Sequence, residues 1–132
     1  IFNVFNLVVF YFFPFSIAFN LIYLIIFLFN AIGTYLLGRK FKFSFLQRIF
    51  FATIYTFSGY LIVQMTHLNL LLALSFLPWL LYFIILFWQT NKYRYLIIFS
   101  FFLSQQIFAG HPQSTFISLF LISGYLLTKS FN

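Results

Sequence analysis

The sequence predicts an all-α fold, a polytopic bundle of about five transmembrane helices joined by short hairpin connections. Of its 132 residues, 64% are hydrophobic and only 5% are charged, whereas an ordinary soluble domain carries about 25% charged residues. Apolar surface on that scale drives association in water, so lipid is the natural solvent for most of this chain. The apolar residues also form runs of a length near the about 20 residues that a helix needs to cross a bilayer.

Charged and turn residues divide the chain into five predicted spans. Their approximate bounds are 15–38, 45–65, 70–88, 95–108 and 113–128. Pro14 argues against extending the first helix towards the N-terminus, so we expect residues 1–14 to form an interfacial or re-entrant segment. Pro112 suits the first turn of the last helix. Because the chain begins at Ile1 and not at Met, we expect residues 1–132 to be a fragment of a single transmembrane domain.

All seven cations fall on one side of the predicted spans. The formal charge of +7 arises because the chain has no Asp or Glu. Helical hairpins alternate sides, and each return brings basic residues to the same side: Arg39, Lys40, Lys42, Arg48, Lys92, Arg94 and Lys129. The positive-inside rule predicts that this side is cytoplasmic in a bacterial inner membrane and that His67 and His111 are external. These cations end apolar runs, so we predict the lipid bilayer as a partner and no nucleic acid.

The predicted external helix ends collect the polar side chains that could bind a substrate. The candidates are Gln64, His67, Asn69, Gln106, His111 and Gln113. If the two hairpins that carry them pack together, they form one polar pocket. For His67 we favour a local, interfacial role. For His111 two interpretations stay open: a locally bonded helix N-cap, or a functional side chain in a recessed break. We expect the break before the last span to lie below the external membrane surface. A span of 16 residues is about 24 Å long, which is short of the about 30 Å core.

The composition excludes several kinds of catalysis within these residues. The absence of Cys excludes thiolate metal sites and cysteine nucleophiles, and the absence of Asp and Glu excludes paired-carboxylate chemistry. Two histidines fall short of the three protein ligands of a catalytic zinc. We therefore predict no metal ligands here and see no cofactor, while a divalent metal stays open for the full-length protein.

An ordered series of short motifs resembles a known family. The motifs are Asn20-Leu21, Ala31-x-Gly33-x-Tyr35-Leu36-Leu37-x-Arg39, Ser58-Gly59-Tyr60, His67-Leu68-Asn69-Leu70, Leu77-Pro78-Trp79-Leu80-Leu81 and Gln106-x-x-Ala109-Gly110-His111-Pro112-Gln113-x-x-Phe116. Over about residues 15 to 125 the chain is similar to the YfhO-like bacterial membrane proteins, which look like members of the GT-C group of glycosyltransferases.

The resemblance implies transfer of a sugar from a polyprenyl-phosphate donor to a cell-envelope polymer or glycolipid, at the external face of the cytoplasmic membrane. Our leading hypothesis is that the external pocket binds this lipid-linked sugar phosphate, and His67, His111 and Gln113 would then contact phosphate or sugar hydroxyls. The resemblance also implies a catalytic acidic residue in a first external loop, which these residues do not include. After Leu81 the chain departs from the family pattern, because it continues with Tyr82-Phe83 and no carboxylate.

Two functions of other classes stay open. One is a transporter or flippase for a lipid-linked or small polar substrate, in which the broken helix lines the translocation path. The other is a non-catalytic membrane subunit. The sequence leaves the donor sugar, the acceptor, the catalytic residues and the oligomeric state unassigned.

Overall fold

The computed structural model describes residues 4–130, which form an all-α fold without a strand in that range. The described range contains eight α-helices and one 3-10 turn (Gln64–Thr66). The helices are α1 (Val4–Phe12), α2 (Phe15–Lys40), α3 (Phe45–Thr56), α4 (Gly59–Val63), α5 (Leu68–Ser75), α6 (Leu77–Thr90), α7 (Tyr93–Phe108) and α8 (Pro112–Ser130). The predicted all-α helical bundle is confirmed.

Three stretches are long and apolar enough to cross a membrane by length and composition: Phe15–Lys40, Phe45–Thr66 and Leu68–Thr90. They correspond to the first three predicted spans. α7 has 16 residues and is therefore about 24 Å long, short of the about 30 Å core. α8 has 19 residues and reaches about 28 Å, so it is longer than predicted. That the fourth and fifth runs cross the bilayer stays a prediction.

The outer surface of the bundle is apolar, as lipid contact requires. Along α2, one stripe is buried and contains Ala18, Ile22 and Ile26. A second apolar stripe faces outwards, with Leu24 56% and Leu28 52% exposed. A helix that is hydrophobic on all sides belongs in a membrane or in the core of a large protein. The chain is accordingly a helical membrane protein.

Two of the predicted spans are interrupted. α3 ends at Thr56, and a new helix begins because the Ser58 hydroxyl accepts the N–H of Leu61 at 3.4 Å. Such side-chain bonds to the backbone compete with helix continuation. The third span breaks at Phe76, since Pro78 has no N–H and its ring crowds the carbonyl four residues back. Both interruptions lie in the half of the bundle that carries the histidines.

An aromatic stack joins α2, α6 and α7 in the middle of the bundle. The Trp79 ring lies 4.8 Å from Phe29 and 5.8 Å from Phe102, centroid to centroid, and its indole N–H donates to the Phe29 carbonyl at 3.1 Å. Gly33 lets the indole approach α2, because a Cβ on Gly33 would stand 2.6 Å from Trp79 Nε1. This stack holds α2, α6 and α7 together.

The two ends of the bundle differ in chemistry. At one end, which we call the basic end, the α2–α3 and α6–α7 connections and the end of α8 lie together, and Lys40 Nζ donates to Gln89 Oε1 at 3.1 Å. At the other end, which we call the histidine end, His67 and His111 line a common cavity. The cations and the histidines therefore lie at opposite ends of one bundle, as the sequence predicts.

The N-terminal helix α1 packs at the histidine end. Its first N–H, from Val4, donates to Gln105 Oε1 of α7 at 3.0 Å, and Val9 joins a buried cluster with Ala18 of α2. With nine residues, α1 is about 13 Å long and too short to cross a bilayer. Residues 1–3 of the predicted interfacial or re-entrant segment lie outside the described residues.

Candidate functional site

His111 begins helix α8 after a sharp reversal of the chain. Gly110 has a φ of +81°, a left-handed conformation that favours glycine. The Nδ1 atom of His111 accepts the N–H of Ser114 at 3.2 Å, and its carbonyl accepts the N–H of Thr115 at 3.4 Å. These are the bonds of an N-cap residue, and Pro112 follows at the first helical position. The N-cap interpretation of His111 is therefore confirmed.

The cap determines which ring nitrogen of His111 is available to bind a ligand. A backbone N–H can only donate, so Nδ1 must present its lone pair to Ser114. The proton of the neutral imidazole is then on Nε2, which becomes a hydrogen-bond donor. The ring is half-buried and lines two cavities. Capping therefore uses Nδ1 and leaves Nε2 as the donor atom of the same ring.

The first cavity at the histidine end has a volume of about 230 Å³ and is mostly polar in its lining; we call it the polar cavity. It is lined by Gln64, His67, Asn69, Leu70 and His111. Four of the six predicted substrate-binding residues thus come together from two hairpins that are more than forty positions apart in the chain. His67 is exposed, while Gln64 and Asn69 are half-buried.

Two helices begin at the polar cavity. His67 immediately precedes α5 and His111 immediately precedes α8, and each is followed two residues later by an amide, Asn69 and Gln113. Helix N-termini carry about half a positive charge and free N–H groups, which favour anions. No carboxylate opposes that preference, because the chain has no Asp or Glu.

The second cavity shares His111 and has a volume of about 260 Å³; we call it the apolar cavity. Its other lining residues are Tyr55, Ser58, Tyr60, Leu61, Leu74, Leu77, Gln113, Ser114 and Ile117. Gln113 therefore lies at this cavity, beside the polar one. Tyr55 and Tyr60 were not predicted as site residues, because aromatic residues are frequent throughout the chain and nothing in their spacing marks them.

Gln106 does not reach either cavity. It is fully buried, and its Nε2 donates to the Ala73 carbonyl and to Ser118 Oγ, both at 2.8 Å. Ser118 Oγ in turn donates to the Ser114 carbonyl at 2.9 Å. The amide thus ties α5, α7 and α8 together below the helix start that His111 caps. The structure gives Gln106 a role in packing, at a distance from the predicted binding residues.

The site offers hydrogen-bond donors and no evident metal centre. The described residues contain no group of three or more His, Cys, Asp or Glu side chains that could hold a metal ion. The two imidazoles and two amides of the polar cavity can bind phosphate oxygens or sugar hydroxyls. They include no carboxylate that could act as a general base.

Two of the motifs that carry the family resemblance lie at the positions just described. Leu77-Pro78-Trp79 opens α6 beside the apolar cavity, and Ala109 to Gln113 forms the reversal into α8. Comparison of the chain with protein-family models, with curated proteins and with solved structures finds no match.

Proposed function

We propose that the chain is the membrane core of a GT-C-type glycosyltransferase that uses a polyprenyl-phosphate-linked sugar at the external face of the bacterial cytoplasmic membrane. One observation carries the proposal: a polar cavity and an apolar cavity share the His111 side chain. A lipid-linked sugar phosphate has a polar and an apolar part joined at the phosphate. Its two parts match the two cavities, with His111 at the junction.

The polar cavity suits the phosphate and the sugar. His111 offers Nε2–H, and Asn69 and Gln64 offer amide groups for hydroxyls. The starts of α5 and α8 add a favourable field for an anion. Hydrogen bonds between these donors and a phosphate are charge-assisted and are therefore stronger than neutral ones.

The apolar cavity suits the first isoprene units of the lipid. Leu61, Leu74 and Ile117 provide aliphatic wall, and Tyr55 provides an aromatic face. A prenyl chain that enters here loses contact with water near the membrane surface, which is favourable for apolar groups. The remainder of a long chain would lie among lipid tails.

In this proposal the residues of the two cavities do not supply the base for proton transfer. A base that removes a proton from the acceptor hydroxyl is usually His, Asp or Glu. Asp and Glu are absent here, and His111 Nδ1 is occupied by the cap. His67 is exposed and precedes α5, and we assign it, like His111, to binding of the donor; in this proposal an acidic residue outside residues 1–132 acts as base.

A substitution at His111 separates binding from folding. Asn is a good N-cap residue, so His111→Asn keeps the cap and removes the Nε2–H donor. In the full-length protein we expect this variant to lower envelope glycosylation roughly 10- to 100-fold, the effect of losing one hydrogen bond to a charged group. Normal transfer at a normal expression level would contradict the assigned role. Loss of lipid or sugar translocation with normal transfer would favour a transporter.

A further inference from the structure

The basic end contains a third cavity, with a volume of about 530 Å³, at the ends of α2, α6 and α8. Three lysines line it: Lys40, Lys42 and Lys129. We propose that this cavity binds the phosphate headgroup of an anionic phospholipid. The proposal concerns the opposite end of the bundle from the two histidines and does not depend on the proposed transferase function.

No side-chain carboxylate balances the charge of the three lysines. The chain has no Asp or Glu, so none of the three can form an ion pair with a side-chain carboxylate. Lys40 donates to the Gln89 amide oxygen at 3.1 Å and lies 5.9 Å from the Tyr82 ring centroid, but both partners are neutral. The C-terminal ends of α2, α6 and α8 offset about half of the positive charge at most. Lys42 and Lys129 are exposed, so an anion at the bilayer surface can reach them and balance the rest.

Lys42 stands at a backbone position where glycine is usual. Its φ is +60°. Its N–H donates to the Arg39 carbonyl at 3.2 Å, and the N–H of Phe43 donates to the Gly38 carbonyl at 3.1 Å. These two bonds form a Schellman motif, whose left-handed residue is most often Gly. The turn therefore needs no lysine, and Lys42→Gly removes the charge while it keeps the favoured backbone.

The rest of the lining selects a lipid over a free phosphate. Ile85, Trp88 and Tyr125 lie in the same cavity as the lysines. Trp and Tyr are enriched at the depth of lipid headgroups, where one part of the ring is apolar and the other is wet. A phospholipid offers a phosphate to the lysines and glycerol and acyl carbons to these rings. A free phosphate would leave the apolar part of the cavity unused.

Native mass spectrometry of lipids retained after extraction tests this assignment. The protein is reconstituted in equimolar phosphatidylglycerol and phosphatidylcholine vesicles and extracted in a mild detergent, as the wild type, Lys42→Gly, Lys129→Gln and the control Lys92→Gln. Lys92 lies at the same end but outside the cavity. We expect the wild type and the control to retain phosphatidylglycerol preferentially. In each cavity variant the preference for phosphatidylglycerol over phosphatidylcholine should fall about fivefold. This is the effect of one lysine near an anionic lipid surface.

Two results would overturn the proposal. One is equal retention of the two lipids by the wild type. The other is an equal loss in the control and the cavity variants, which would mean that only the overall charge matters. Addition of inorganic phosphate distinguishes the source of the anion: if phosphate displaces the lipid at concentrations that leave the ionic strength unchanged, free phosphate is the better ligand and the lipid assignment is wrong. A wild-type melting temperature for Lys42→Gly will show that its loss of lipid is not caused by unfolding.

Discussion

The hydroxyl of Tyr55 donates a hydrogen bond to the backbone carbonyl of Leu74 at 3.0 Å. In a continuous helix, that carbonyl would accept the N–H of residue 78, but residue 78 is a proline and has none. Tyr55 supplies a donor from a different helix and so joins α3 to α5. The same tyrosine lines the apolar cavity, which connects the helix break to the shape of the proposed site.

Tyr55→Phe should destabilise the protein by about 1–2 kcal/mol, because it removes one hydrogen bond to a carbonyl in an apolar setting. Thermal unfolding in detergent micelles measures the change. Tyr60→Phe is the matched control, because Tyr60 lines the same cavity but is 59% exposed. Equal melting temperatures for the two variants would show that the Tyr55 bond contributes nothing.

Gly33→Ala should be strongly destabilising, by about 1–3 kcal/mol, because overpacking forces neighbouring groups to move. Its Cβ would stand 2.6 Å from Trp79 Nε1, at the centre of the aromatic stack. Gly124→Ala provides the control. A Cβ on Gly124 meets nothing within 4 Å, so alanine there should stabilise α8 by up to about 1 kcal/mol. We expect the changes in unfolding free energy of the two variants to have opposite signs. A Gly33→Ala protein as stable as the wild type would contradict the close packing of Trp79 against Gly33.

Gly110→Ala should cost about 1–2 kcal/mol, since a residue other than Gly pays that much for the left-handed conformation. Space is not the cause, because a Cβ on Gly110 meets nothing within 4 Å. Asparagine tolerates this conformation better than alanine, so Gly110→Asn should recover part of the loss. Chemical denaturation of the three proteins checks the order. Equal stabilities of the alanine and asparagine variants would point to a cause other than φ.

The sequence predicted the bundle because membrane folding depends on run length and composition, which are local properties. It also predicted that the two histidine hairpins could share a pocket, since alternating hairpins place Gln64 to Asn69 and His111 at one end. The placement of Gln106 could not be predicted. Whether an amide near a helix end faces a cavity or the core depends on helix rotation, which here turns it towards Ala73 and Ser118.

The apolar cavity could not be predicted from the sequence either. It lies beside two helix interruptions, at Ser58 and at Phe76, and its lining comes from α3, α4, α5, α6 and α8. Pro78 leaves the Leu74 carbonyl without its helical donor, but Tyr55, which supplies a donor, is one of nine tyrosines and no local pattern distinguishes it. Cavities between helices are set by such non-local contacts, and composition alone does not contain them.

Two substitutions at His111 should differ in stability. His111→Ala removes the N-cap acceptor and should cost about 1 kcal/mol, whereas His111→Asn keeps an acceptor for the Ser114 N–H and should cost little. Thermal unfolding of both variants beside the wild type measures the difference. If His111→Asn is as unstable as His111→Ala, the asparagine does not replace the cap.

Binding of a prenyl phosphate to the wild type and to His111→Asn measures whether His111 holds the phosphate. The measurement is a titration of protein in detergent micelles with farnesyl phosphate, with farnesol as the uncharged control and empty micelles as the blank. We predict that His111→Asn binds farnesyl phosphate roughly 10- to 100-fold more weakly, the loss of one charge-assisted hydrogen bond, and that farnesol binds both proteins equally. Equal affinity of the two proteins for farnesyl phosphate would mean that His111 does not bind the phosphate.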